Sequence, residues 1–405
     1  MKKLLKTVFL ITLGIMIMAP FIYASTNSKG TACAIVSSKR GGFESEGDRA
    51  MQNAKNTYDS MGYNTLILKD PGALILYSNI IASKVQLYCC HGSSKHIEFP
   101  NGGLCIGNGN SYDGKTFYSI DNLDLSNAKL ITLAACNTAG NGSSSWDSIA
   151  AKMMERGAQM TIGWYTEVNP FSMPDWLDNF HKEINNGYDP LTALNKACNN
   201  YWYMNDNVKN ILFSYKTLST LSNNSELQMK ISEKNILKEK KLVKLTETEI
   251  ENKIKENDLT FDVKDYKKQY SDGIYILNGE TNEIQHICSY IDYTLKIGDY
   301  ITNSGYTVVL DKEENVQQII DNTFSKKNLI ITNRNNNNFL VSENDKNYYI
   351  SAAKEKLEIK DKIIDENVEF YYDVNTSQKF ANVTIKVEDK LSGFKLDTYV
   401  FKITD

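Results

Sequence analysis

Short, wholly apolar runs recur between residues 30 and 215, and apolar residues return at helical spacing between them. No other feature of the chain restricts its fold as strongly. Ala32-Cys33-Ala34-Ile35-Val36, Thr65-Leu66-Ile67-Leu68, Val85 to Cys90, Leu130 to Ala135 and Met160 to Trp164 read as strands. Their lack of polar alternation marks strands buried on both faces, as in a parallel sheet. Ala50, Met51, Ala54, Tyr58 and Met61 predict a helix, as do Leu74 to Ile81 and the face formed by Trp146, Ile149, Ala150, Met153 and Met154. Asp189-Pro190 reads as an N-cap followed by Pro at the first helical position, opening a helix through Leu194 and Ala197. Strand and helix in alternation predict an α/β fold, a mainly parallel sheet flanked by helices.

The chain has 405 residues, more than one core of about 250 residues normally holds. Residues 1–24 carry the marks of a signal peptide: Lys2, Lys3 and Lys6, an apolar run from Thr7 to Met18, Pro20, and the small Ala24. No Cys follows that run closely, which argues against a lipid anchor. The expectation is a secreted or cell-surface protein of bacterial type, touching a membrane only through the leader if it stays uncleaved. Residues 25–220 form the expected main domain, 221–258 a charged linker or helix, and 259–405 a smaller α+β accessory domain. Within the linker, Lys238 to Lys244 is a candidate processing site, and the accessory domain a candidate inhibitory or targeting module. With 45 Lys plus Arg against 49 Asp plus Glu, the net charge is −4, which leaves no nucleic-acid footprint.

Catalytic groups in open parallel sheets gather beyond the carboxyl ends of the strands. His91 follows the strand ending Cys89-Cys90, and Cys136 follows the one ending Ala134-Ala135. This pairing provides a thiolate nucleophile and an imidazole to manage protons. The backbone N–H of Gly92, with that of Cys136, is the expected oxyanion hole, since a residue without a side chain lets the substrate oxygen approach. Four His occur, at 91, 96, 181 and 286, and only His91 stands at a strand end. Seven Cys, an odd number, make no dense disulfide framework. Those inside apolar runs read as small buried hydrophobes.

The segments LYCCHGS and LAACNTAG resemble the paired His-Gly and Ala-Cys motifs of the CHAT branch of caspase-like (clan CD) cysteine peptidases. GAQMTIGWYTEVNP, from Gly157, and NGYDPLTALNKA, from Asn186, are similar to further segments of that branch. The likeness covers about residues 30 to 215. It implies a caspase-hemoglobinase fold, a Cys-His dyad of Cys136 and His91, and thiol-dependent cleavage of peptide bonds in a protein or peptide substrate, without a cofactor. The Gln-Ala-Cys-Arg/Gln-Gly form of true caspases is missing. Ala134 stands where an Asp two residues before the Cys would favour Arg or Lys in the substrate.

Specificity has three candidates by position. Arg40, beside Lys39 after the first strand, would favour an acidic substrate residue, and Glu167 a basic one. Trp164 is a candidate cleft wall, against the commoner role of a strand Trp in a core. A metal site from Cys89, Cys90, His91, His96 and Cys105 is disfavoured, because adjacent strand residues point to opposite faces. The rival reading is a catalytically silent binding module that keeps the fold and holds a protein partner at the cell surface.

Overall fold

A computed structural model describes residues 28–38, 44–109, 111–112, 114–140, 147–170, 172–200, 209–216, 244–281, 283–323, 339–357, 362–389 and 392–404. The expected leader, Lys39 and Arg40, Trp146, and most of the charged linker, including Lys238 to Val243, lie outside the described residues.

The predicted strands form β1 (Thr31–Val36), β2 (Asn64–Lys69) and β3 (Ser83–Cys89). A Gly-rich insert adds β4 (His91–Gly92), β5 (His96–Phe99), β6 (Gly102–Cys105), β7 (Ser111–Tyr112) and β8 (Lys115–Ser119). The main sheet resumes with β9 (Leu130–Ala134), β10 (Met160–Trp164) and β11 (Ile211–Tyr215). β1 lies between β2 and β3, and β3, β9 and β10 follow in order, all parallel. β11 closes this part antiparallel to β10.

The helices fall where the apolar spacing places them. In α1 (Glu44–Ser60) the predicted face of Ala50, Met51, Ala54 and Tyr58 is buried. α2 (Ala73–Ala82) covers the other side of the sheet. α3 (Ile149–Glu155) is N-capped by Ser148, whose side chain accepts from the N–H of Ala151. α4 (Met173–Asn185) precedes α5 (Pro190–Asn200), where the Asp189 carboxylate accepts from the N–H of Thr192 at 3.0 Å, as the Asp-Pro pair predicts. Alternate residues of β1 and β3 feed two cores. Ala34, Val36, Val85 and Leu87 pack towards α1 and α4, and Cys33, Ile35 and Tyr88 towards α2 and α3.

The strands of the expected accessory region carry the sheet on past β11. They comprise β12 (Tyr266–Asn278), β13 (Glu283–Ile297), β14 (Tyr300–Asp311), β15 (Val316–Asn322), β16 (Ile363–Asp373), β17 (Gln378–Asp389) and β18 (Gly393–Ile403). β12 pairs with β11 in parallel from Ile211↔Ile274 to Tyr215↔Asn278. The physical reason is plain: β11 would otherwise be an apolar edge strand with unpaired backbone. Among the described residues the result is one 13-stranded sheet, with the insert forming a separate five-stranded sheet.

Part of the expected linker belongs to this tail. Thr246 and Glu249 form a capping box at the start of α6 (Glu247–Asn257), and its Ile250 and Ile254 pack against Phe261, Tyr266 and Tyr293. α7 (Glu343–Lys354) sets Ala353 against Val383, Ile385 and Val387 of β17. Between the two halves of the sheet, Lys209 is buried. Its Nζ lies 2.8 and 2.9 Å from the Asp292 carboxylate oxygens and 5.1 Å from the Tyr290 ring centroid.

Candidate active site

Cys89 and Ala134 are register partners on the adjacent parallel strands β3 and β9. His91 and Cys136 each follow that pair by two residues, so the sheet delivers both side chains to one carboxyl end. They line one cleft together with Cys90, Ala134, Val168, Pro170 and Thr398.

After Ala134 the chain turns sharply. Asn137 takes a left-handed conformation (φ 55°), which Asn tolerates better than most residues. Its N–H donates to the Thr166 carbonyl at 2.9 Å, and that of Ala139 to the Trp164 carbonyl at 2.9 Å. The loop carrying the thiol is thereby stapled to the end of β10. The N–H of Asn137 is thus engaged in holding the turn and is not offered to a substrate oxygen. Gly92 lies against this turn: a Cβ there would come within 2.9 Å of the Ala135 Cβ and 3.2 Å of the Cys136 carbonyl oxygen. The His-Gly and Ala-Cys motifs are therefore two halves of one packed unit.

Cys136 is only 5% exposed. Burial pushes its thiol up to about 12, against the pull of the Val168 N–H, which donates to Sγ at 3.2 Å. The negative charges of Glu167 and Asp397 push in the same direction as burial. The Thr398 hydroxyl lies beside Sγ and lowers the pKa slightly, although its oxygen finds no hydrogen-bond partner of good geometry.

His91 Nδ1 stands 3.2 Å from Asp397 Oδ1. Burial alone favours the neutral imidazole, but the charge and hydrogen bond of Asp397, with help from Glu98, outweigh burial and Lys395 and raise its pKa above the ordinary value. Asp397 is held below the usual carboxylate range in return: burial opposes this, and His91 and Lys395 overcome it. The ionic contacts continue outward. Lys395 Nζ lies 3.7 Å from Asp397 Oδ2 and 3.8 Å from Glu98 Oε2, and Glu98 also meets His96 Nε2 at 3.4 Å and Lys115. His96 Nδ1 in turn lies 3.9 Å from Asp389 Oδ2 at the end of β17.

The other expected site residues fall differently. Trp164 has no exposed surface and packs edge-to-face on Trp176, with centroids 5.2 Å apart. It is a core residue, not a cleft wall, because β10 is covered by α4. Glu167 is partly buried and near enough to raise the Cys136 pKa. Arg40 lies outside the described residues. His181 is structural: its Nε2 lies 2.9 Å from the Tyr58 hydroxyl, and burial lowers its pKa to about 3. The tail residues Asp397, Thr398 and Lys395 were missed from sequence. Their one signal is charge and polarity inside the strand pattern Gly393–Ile403, where Lys395 and Asp397 interrupt apolar residues.

A parallel α/β sheet with a Cys and a His beyond adjoining strand ends defines the class of a caspase-like fold. Residues 82–231 match the family model of the CHAT domain, so the chain carries a domain of the caspase-like clan CD cysteine peptidase type. The tail strands β12 to β18 lie outside the match. No curated protein is similar enough to match the chain.

Proposed function

We propose that the protein is an exported cysteine endopeptidase in which Cys136 is the nucleophile and His91 the general base. The observation that carries this reading is the register pair Cys89↔Ala134, which sets both groups at the head of one cleft. In the proposed reaction His91 takes the thiol proton as Sγ attacks the peptide carbonyl carbon. The N–H groups of Gly92 and Cys136 hold the oxygen as it gains charge. The imidazolium then protonates the leaving amine, the C–N bond breaks, and water hydrolyses the acyl-enzyme with His91 again as base. Glu167, whose charge acts on the thiol, would favour a basic substrate residue.

The test is labelling of the full chain with peptidyl acyloxymethyl ketones. An adduct on Cys136 that disappears in Cys136→Ala and falls sharply in His91→Ala supports the reading. The second reading, a silent binding module, draws on the buried thiol with its raised pKa. It is favoured if the thiol is accessible to small reagents yet no peptide probe reacts.

A further inference from the structure

The last strand among the described residues, β18, lies on the cleft. Asp397 faces His91, and Thr398, next in sequence, lines the cleft beside Cys136. The room left between them is a cavity of about 20 Å³, space for a single water. A nucleophile needs the substrate carbonyl carbon within about 3–3.5 Å, and the Thr398 side chain stands where that group must enter.

We infer that β18 is an internal cover of the CHAT cleft, and that the chain as folded is a latent form opened by displacement of its last strand. The inference rests on the peptidase reading for its purpose but on geometry for its content. What holds the cover is chemically specific. Asp397 and Lys395 of β18 and Asp389 of β17 meet His91, His96 and Glu98 of β4 and β5 in one chain of ionic contacts. All of these groups are largely withdrawn from water, with side-chain exposures from 1% for His96 to 21% for His91. Buried charges of this kind are strongly interdependent: removing one partner leaves the other uncompensated. The cover is therefore held by pairing between the insert and the tail, and it is weakened by any partner that competes for Asp397 or Lys395.

Alkylation of Cys136 by iodoacetamide in the full-length protein tests the cover directly. Site-resolved mass spectrometry reads it, because a small reagent reports access without requiring catalysis. Wild type is expected to react at Cys136 roughly tenfold or more slowly than Lys395→Met or Thr398→Gly, with circular dichroism unchanged. Lys267→Gln, at the remote Lys267–Glu369 pair, is expected to match wild type. Equal rates in wild type and both β18 variants overturn the cover. Should the variants fail to fold, hydrogen exchange of the β18 amides in wild type decides. Exchange that rises once Cys136 carries a peptidyl adduct supports displacement, and unchanged exchange with the adduct in place refutes it. Faster alkylation without any peptide cleavage keeps the cover and removes the peptidase.

Discussion

Gly92 and Ala135 are packed so closely that a Cβ on the glycine would lie 2.9 Å from that of the alanine. Real Cβ atoms do not approach so near, and the next neighbours, Thr138 Cγ2 at 3.1 Å and the Cys136 carbonyl oxygen at 3.2 Å, belong to a turn already fixed by two backbone hydrogen bonds. Gly92→Ala is expected to push the His91 loop away from Cys136 and to destabilise the protein by about 1–3 kcal/mol, the usual cost of overpacking. Urea unfolding measures the second effect. A variant as stable as wild type would show that the two loops are not in contact.

The ion pair of His91 with Asp397 makes the hold of the tail depend on pH in a definite direction. The imidazole pKa is raised above 6.5, so its contribution is complete below that value and is lost as pH rises through the raised one. Asp397 and Glu98 are depressed below 3.8 and 4.5, so theirs is present above those values and is lost as pH falls through the lowered ones. Docking is therefore firmest between the carboxylate and imidazole ranges. The groups facing His91 are Asp397 and Lys395 from β18 and Glu98 from β5. Amide exchange in β18, corrected for its intrinsic pH dependence, is expected to quicken on the alkaline side in wild type. In His91→Gln that alkaline change should be absent.

Lys209 and Asp292 are 1% and 4% exposed and join the CHAT strands to the tail. Thr307 also bonds to the Asp292 carboxylate, so the acid is well satisfied. Removing one charge leaves the other buried and unpaired, and Lys209→Met or Asp292→Asn is expected to cost about 3–5 kcal/mol. Thermal unfolding checks this, and a loss below about 1 kcal/mol would mean that water reaches the pair.

Trp164→Ala separates a core role from a cleft role. A fully buried indole stacked edge-to-face on Trp176 predicts a loss of about 3–5 kcal/mol. If the variant were instead stable and altered only which peptide probes react with Cys136, Trp164 would be a cleft residue that the closed site conceals.

Local sequence carried the strand ends and therefore the dyad. An apolar run has a visible end, and a His or Cys just beyond it is delivered by the sheet without help from distant residues. The Asp189 cap and the α1 face of Ala50, Met51, Ala54 and Tyr58 are legible for the same reason, because their partners are a few residues away. Asp397 is different. Its meaning depends on a pairing order that carries the chain from β11 through six further strands before returning to β4. No local period encodes that order. Trp164 was ambiguous in sequence because the end of a buried strand borders both the core and the cleft, and only the position of α4 decides between them.

The parallel pairing of β11 with β12 has a consequence for any enzyme that cuts this chain. A nick between residues 216 and 244 would sever the covalent link but leave five residue pairs and the Lys209–Asp292 bridge intact. The product would be a two-chain heterodimer that runs as one species on a sizing column and as two bands on a denaturing gel. Maturation by scission alone would then change the mass pattern without exposing the thiol.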